Sequence, residues 1–103
     1  MPADPLTDES ILASSAAVPK HVVYRAFAHE TVLLNLDAGH YHGVNPVGGR
    51  MLEMLERSAT VAEAAAYLAD EFARPRDEIE RDMCAFCRDL QERGLIELSR
   101  DDR

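Results

Sequence analysis

The chain has 103 residues, 47% of them hydrophobic and 29% charged, which bounds it to one domain with a core of modest size. Nineteen acidic against eleven basic residues leave a net charge of −8 at pH 7, which disfavours phosphate backbones as partners and leaves peptides open. No apolar run approaches the roughly 20 residues of a membrane span, and the acidic N-terminus MPADPLTDES lacks a basic n-region, so no membrane contact and a cytoplasmic location are expected.

Residues 1–19 carry Pro2, Pro5 and Pro19 among serines and alanines, with Leu6 and Ile11-Leu12 as the only apolar pieces. This composition predicts a flexible arm with at most a transient helical turn. The alternative is that Ile11 and Leu12 dock on a groove or a partner. The folded domain is expected over residues 20–99, with a charged tail at 100–103.

In residues 21–28, HVVYRAFA, Val22, Tyr24 and Ala26 alternate with Val23, Arg25 and Phe27, the period of a strand. His29 and Glu30 lead into a second strand over residues 31–36, where Val32, Leu34 and Leu36 alternate with Leu33 and Asn35. Asp37 and Gly39 supply a turn. The stretch His40-Tyr41-His42-Gly43-Val44 is short enough to be an edge strand. Such a three-stranded antiparallel meander still needs a helical layer on one face.

Three helices are predicted to supply it. Asn45 can cap the first, with Pro46 at its first position. That helix runs to Arg57, with Val47, Met51, Met54 and Leu55 on one face, and Gly48 and Gly49 weaken it but allow close packing. The second runs from Val61 to Phe72 behind a capping box of Thr60 and Glu63, with an apolar stripe of Val61, Ala64, Ala65, Leu68 and Phe72. The third covers residues 75–93, lined by Ile79, Met83, Phe86, Cys87 and Leu90 and closed by Gly94. Leu95-Ile96-Glu97-Leu98 then forms a short strand or an extended tail. The second and third helices have helix-turn-helix spacing. The fold class is α+β, a winged helix-turn-helix-like domain with a three-stranded antiparallel sheet followed by three helices.

Four features could carry function. Cys84 and Cys87 form a C-x-x-C, but mid-helix, with only His40 and His42 as further metal donors and no helix N-terminus to stabilise a thiolate. They read more simply as packing residues, and two cysteines in a cytosolic chain make no disulfide scaffold. His40 and His42 share one side of a strand without a neighbouring Ser, Cys or carboxylate to complete a hydrolytic set. Arg74, Arg76 and Arg81 would open a DNA-recognition helix, but Asp77, Glu78, Glu80 and Asp82 interleave with them, so a solvated face is expected and no nucleic acid. The fourth feature is the open edge of the third strand, which is either protected or used to add an extended peptide.

The run Gly39-His40-Tyr41-His42-Gly43-Val44-Asn45, followed by Met51-Leu52-Glu53-Met54-Leu55, Thr60-Val61-Ala62-Glu63, Leu68, Phe72 and Arg93-Gly94-Leu95-Ile96, resembles the PqqD-like family across residues 22–98. The resemblance implies a peptide-recognition domain that does no chemistry itself and needs no cofactor. It implies that the leader segment of a ribosomally made precursor peptide adds as a strand beside His40, Tyr41, His42, Gly43 and Val44. A third-helix wall would be drawn from Ile79, Asp82, Met83, Phe86 and Cys87. The Val-Leu-Leu-Asn-Leu strand is most similar to the stand-alone recognition proteins of lasso-peptide pathways, which implies a leader peptidase and an ATP-dependent macrocyclase as partners. The alternative is a radical S-adenosylmethionine enzyme, as in pyrroloquinoline quinone synthesis. The chain departs from the family pattern in its longer N-terminal arm and in His42, where an aromatic is expected. An unoccupied edge could also pair two copies of the chain.

Overall fold

The computed structural model describes residues 7–100. The chain opens with helix α1 (Asp8–Leu12) and strand β1 (Ser15–Ala17), then β2 (Val22–Ala26), β3 (Thr31–Asn35) and β4 (His40–Val44). Helices α2 (Pro46–Arg57), α3 (Val61–Phe72) and α4 (Arg76–Glu92) follow, and β5 (Glu97–Ser99) ends the fold.

The three central strands form the expected antiparallel meander in the order β2-β3-β4. Its register pairs Val22 with Asn35 and Ala26 with Thr31, then Thr31 with Val44 and Asn35 with His40. One face carries Val22, Thr31 and Leu33 into the core. Tyr24 lies on the same face and donates its hydroxyl hydrogen to Glu56 on α2. Burial, then the Glu56 carboxylate, push the Tyr24 pKa above its usual range. The opposite face stays open to water, with Val23, Leu36 and Tyr41 exposed.

Helix α2 starts where Asn45 and Pro46 predict. The Asn45 side chain accepts from the Gly48 N–H at 2.8 Å. The two glycines explain how close this helix comes to the sheet. A Cβ on Gly49 would lie 3.1 Å from the Thr31 Cβ and nearer still to its hydroxyl, and one on Gly48 would lie 3.0 Å from the Val44 Cβ. Met51, Met54 and Leu55 are buried, and so is Leu52. Val47, expected on that inner stripe, is instead 50% exposed.

Helix α3 carries the predicted capping box. Thr60 accepts from the Glu63 N–H at 3.1 Å, and the Glu63 carboxylate reaches back to the Ala59 N–H at 2.6 Å. Ala73 ends the helix in the left-handed region, at φ 55°. Helix α4 begins at Arg76, one residue later than expected, because Pro75 takes the N-cap position. Its core face is Ile79, Met83, Cys84, Cys87 and Leu90. Gly94, at φ 74°, closes it, with the Leu95 N–H on the Leu90 carbonyl at 2.8 Å.

The N-terminal arm departs most from expectation. Residues 1–6 of it, and 101–103 of the tail, lie outside the described residues. From Thr7 onward the arm is not loose. Thr7 caps α1 through the Ser10 N–H at 3.0 Å, and Ile11 is fully buried. Asp8 pairs with Arg88 of α4 at 2.6 Å, and Ser14 offers its carbonyl to the Val61 N–H at 2.8 Å. β1 then pairs antiparallel with β5, Ser15 opposite Ser99. The predicted final strand therefore exists, but in a separate two-stranded sheet. The docking of Ile11, whose full burial is worth roughly 1.5–3 kcal/mol, acts together with the Asp8–Arg88 pair and the β1–β5 ladder to offset the cost of ordering this segment.

Candidate functional site: an open strand edge beside a polar-rimmed cleft

The ladder decides which way the β4 backbone points. The Phe27 N–H bonds to the Glu30 carbonyl at 2.7 Å, and the Leu36 N–H to the His21 carbonyl at 2.7 Å. In an antiparallel pair the bonded positions alternate. Val32 and Leu34 therefore face β2, while Thr31, Leu33 and Asn35 face β4 at Val44, His42 and His40. The intervening residues of β4, Tyr41 and Gly43, turn their N–H and C=O groups to the open edge. No other described strand pairs there.

A cleft runs between this edge and α4. At the Val44 end is a cavity of about 430 Å³, lined by Val44, Asn45, Val47, Gly48, Met51, Asp82, Ala85, Phe86 and Asp89. At the His40 end is one of about 400 Å³, lined by Asn35, Ala38, His40, Tyr41, His42, Arg93 and Leu95. Arg93 donates from its Nε to the Asp89 carboxylate at 3.0 Å, so the two cavities meet at this pair. Gly48 makes the floor: a Cβ there would stand 3.3 Å from the Phe86 ring.

The expected site residues divide in two. His40, Tyr41, His42, Val44, Asp82 and Phe86 line the cleft, and Gly43 belongs to its edge. Ile79, Met83 and Cys87 do not reach it: Ile79 is 4% exposed and the other two are fully buried. Their i, i+4, i+8 spacing places them on the core face of α4, and the cleft takes the adjoining face. Asp82, Phe86, Asp89 and Arg93, three or four residues apart, mark that adjoining face. Sequence reasoning missed Asp89 and Arg93, although this spacing was the available signal. It also missed Val47, whose apolar side chain the helical period places on the stripe of Met51 and Met54 but which stands half exposed at the cleft.

The competing chemistries find less support. Burial raises the Cys84 thiol to about 11, with the nearby Asp8 adding to it, and burial raises Cys87 to about 12. Neither thiol carries the thiolate character a redox site needs near pH 7. No group of three metal-donor side chains gathers among the described residues. Arg74 and Arg76 are paired along the helix with Glu78 and Glu80, which offsets the positive charge a phosphate would seek. No described helix is long and apolar enough to cross a membrane.

Residues 30–96 match the family profile described as coenzyme PQQ synthesis protein D (PqqD). This chain belongs to the PqqD family. A solved structure described as TbiB1 in complex with the TbiA(beta) leader peptide is 32% identical, with a TM-score of 0.73 over 82% of this chain and 99% of that one. A second, described as lasso peptide synthetase B1 complexed with the leader peptide, is 23% identical and also has a TM-score of 0.73, over 81% of this chain and 98% of that one. The second likeness speaks for the fold. No curated protein sequence matches significantly. The PqqD match spans β3, β4 and the helical layer, so it contains the whole edge and cleft.

Proposed function

We propose that this PqqD-family chain is a non-catalytic module that captures the leader segment of a ribosomally made precursor peptide by β-strand addition to β4. The observation that carries the reading is the unpaired edge, where the Tyr41 and Gly43 backbone groups face outward beside an apolar-floored cleft. An incoming strand would exchange main-chain hydrogen bonds with these two residues and send alternate side chains into the cleft. His40, Tyr41, His42, Gly43, Val44, Asp82 and Phe86 form the proposed contact set. Ile79, Met83 and Cys87 act behind the wall by fixing α4.

The 32% identical relative, whose structure contains a leader peptide, supports the lasso-type branch. In that branch the module delivers its peptide to a leader peptidase and a macrocyclase in the cytoplasm. The description of the matched family supports a second reading, delivery to a radical S-adenosylmethionine enzyme of cofactor synthesis. A homodimer through β4 would occupy the same edge and compete with the peptide.

The test is an NMR titration of the labelled protein with synthetic leader peptides encoded near its gene. Saturating shifts along His40–Val44 and the cleft face of α4 are expected. Gly43→Pro removes an outward N–H and is expected to weaken binding about tenfold or more, the loss of one hydrogen bond plus a steric block. Unchanged affinity in a folded Gly43→Pro protein would rule out strand addition at this edge.

A further inference from the structure

The cleft is not electrostatically uniform along β4. Asp82 lies at the Val44 end and has no hydrogen-bond or ion-pair partner among the described residues. Asp89, in the middle, is taken by Arg93 at 3.0 Å. Arg93 uses its Nε for that contact and lines the His40 end, where its remaining guanidinium N–H groups can meet a carboxylate. The order from the Val44 end to the His40 end is therefore an unpaired carboxylate, an apolar floor, and the Asp89–Arg93 pair, whose guanidinium is the group that lines the His40 end. The N-terminus of α2 adds positive character near Val44, but its Gly48 N–H is already satisfied by Asn45. Asp82 thus remains the unpaired charge there.

From this order, and resting on strand addition at β4, we infer that the cleft selects a peptide by charge direction as well as by shape. The strand runs antiparallel to β4, as every neighbouring pair in this sheet does. Its cleft-facing residues recur every second position. One of them, opposite Val44, is apolar and sits over Phe86 and Gly48. The cleft-facing residue two positions before it is Lys or Arg and meets Asp82. The one four positions after it stands opposite His40, is Asp or Glu, and meets Arg93. A parallel strand would present these charges in the reverse order, so the two ends of the cleft set the direction of the peptide.

The probe is a bead-displayed library of dodecapeptides, each with one fixed Leu and the other positions drawn from Lys, Glu, Ser and Val. It is selected against the full chain, and retained sequences are resynthesised for affinity measurement. The expected consensus is Lys two residues before the Leu and Glu four after it. Exchanging those two charges should weaken binding by about two- to fivefold per ion pair, the range of partly exposed pairs, and 1 M salt should erase the difference. Asp82→Lys with Arg93→Glu should invert the preference. Arg93→Gln, a milder change, should remove the Glu preference alone. Retained peptides that lose binding in Gly43→Pro yet carry no charge order, or the reverse order, would overturn this inference while leaving strand addition intact. A library with no Gly43→Pro-sensitive binder would overturn both.

Discussion

Helix α4 and its C-cap residue Arg93 present two faces that differ in burial and charge. One face, Ile79, Met83, Cys84, Cys87 and Leu90, is buried and almost free of polar atoms. The other, Asp82, Phe86, Asp89 and Arg93, is partly exposed, charged at both ends, and turned toward a strand edge with no partner among the described residues. The first face is held by close packing, where any lost volume is felt. The second retains polar groups and open volume that packing alone would have removed. On the proposed function, the difference separates positions that set stability from positions that set recognition, although Asp82 and Met83 are adjacent in sequence.

Substitutions at neighbouring positions should break this contrast most sharply if it is wrong. Met83→Ala leaves a cavity in a fully buried site and should cost about 2–5 kcal/mol, read as a fall in the urea midpoint. The fraction that stays folded should bind leader peptide with unchanged affinity. Phe86→Ala should do the reverse: a smaller fall in midpoint, because Phe86 is only half-buried, and a clear loss of peptide affinity. If Met83→Ala weakened peptide binding as much as Phe86→Ala in folded protein, the division of α4 into two faces would be untenable.

The core face also predicts a response to alkali. Burial raises the Cys87 thiol from 9.0 to about 12, so the folded chain holds its proton longer than the unfolded chain does. The linkage follows directly: the contribution is fully present below about pH 9 and is lost as pH rises from there toward the folded value. Cys84, raised to about 11 by burial and by Asp8, acts in the same direction. Urea midpoints at pH 8, 9.5 and 10.5 should fall, and the slope should be shallower in Cys87→Ala. A slope unchanged by that substitution would mean the thiol is not shielded as its burial implies. The cleft face should show no such dependence on the two cysteines.

The sheet and the helical layer were legible because their signals are local and redundant. Thr60 with Glu63, Asn45 with Pro46, and Gly94 each mark a helix end by chemistry that needs no tertiary knowledge. The edge strand was legible for the same reason, bracketed by Gly39 and Asn45. The arm was not. Ser15-Ala16-Ala17 has little strand propensity, and β1 exists because β5, more than eighty positions away, supplies its partner. Its one local sign was Thr7 ahead of Asp8 and Glu9, a capping residue before an acidic first turn. The cleft wall was half legible. Periodicity identifies an apolar stripe but does not say which of its flanks meets solvent, so Phe86 and Asp82 were grouped with Met83 and Cys87. The packing of α3 and α1 against α4, and the cavity that opens between α4 and Val44 of β4, make that distinction, and all of them are tertiary.

The smallest effect concerns how α4 is aimed. Ala73 ends α3 at φ 55° and ψ 47°, where its N–H bonds to the Asp70 carbonyl and the Arg74 N–H to the Ala69 carbonyl. This is the closure that glycine usually provides, and an L-residue with a Cβ holds that conformation at a cost of roughly 1–2 kcal/mol. Pro75 follows within two residues and starts α4, so the strained residue sets the angle between the helix pair. Ala73→Gly relieves the strain but frees the unfolded chain, and the two effects oppose each other. The net should be a gain of about 0.5–1 kcal/mol, a rise of a few degrees in Tm for a domain this size. Peptide affinity should not change, because the same hydrogen bonds hold α4 in the same pose. A rise in Tm accompanied by lost affinity would show that the alanine restrains the cleft wall, and stability and recognition would then be coupled through this turn.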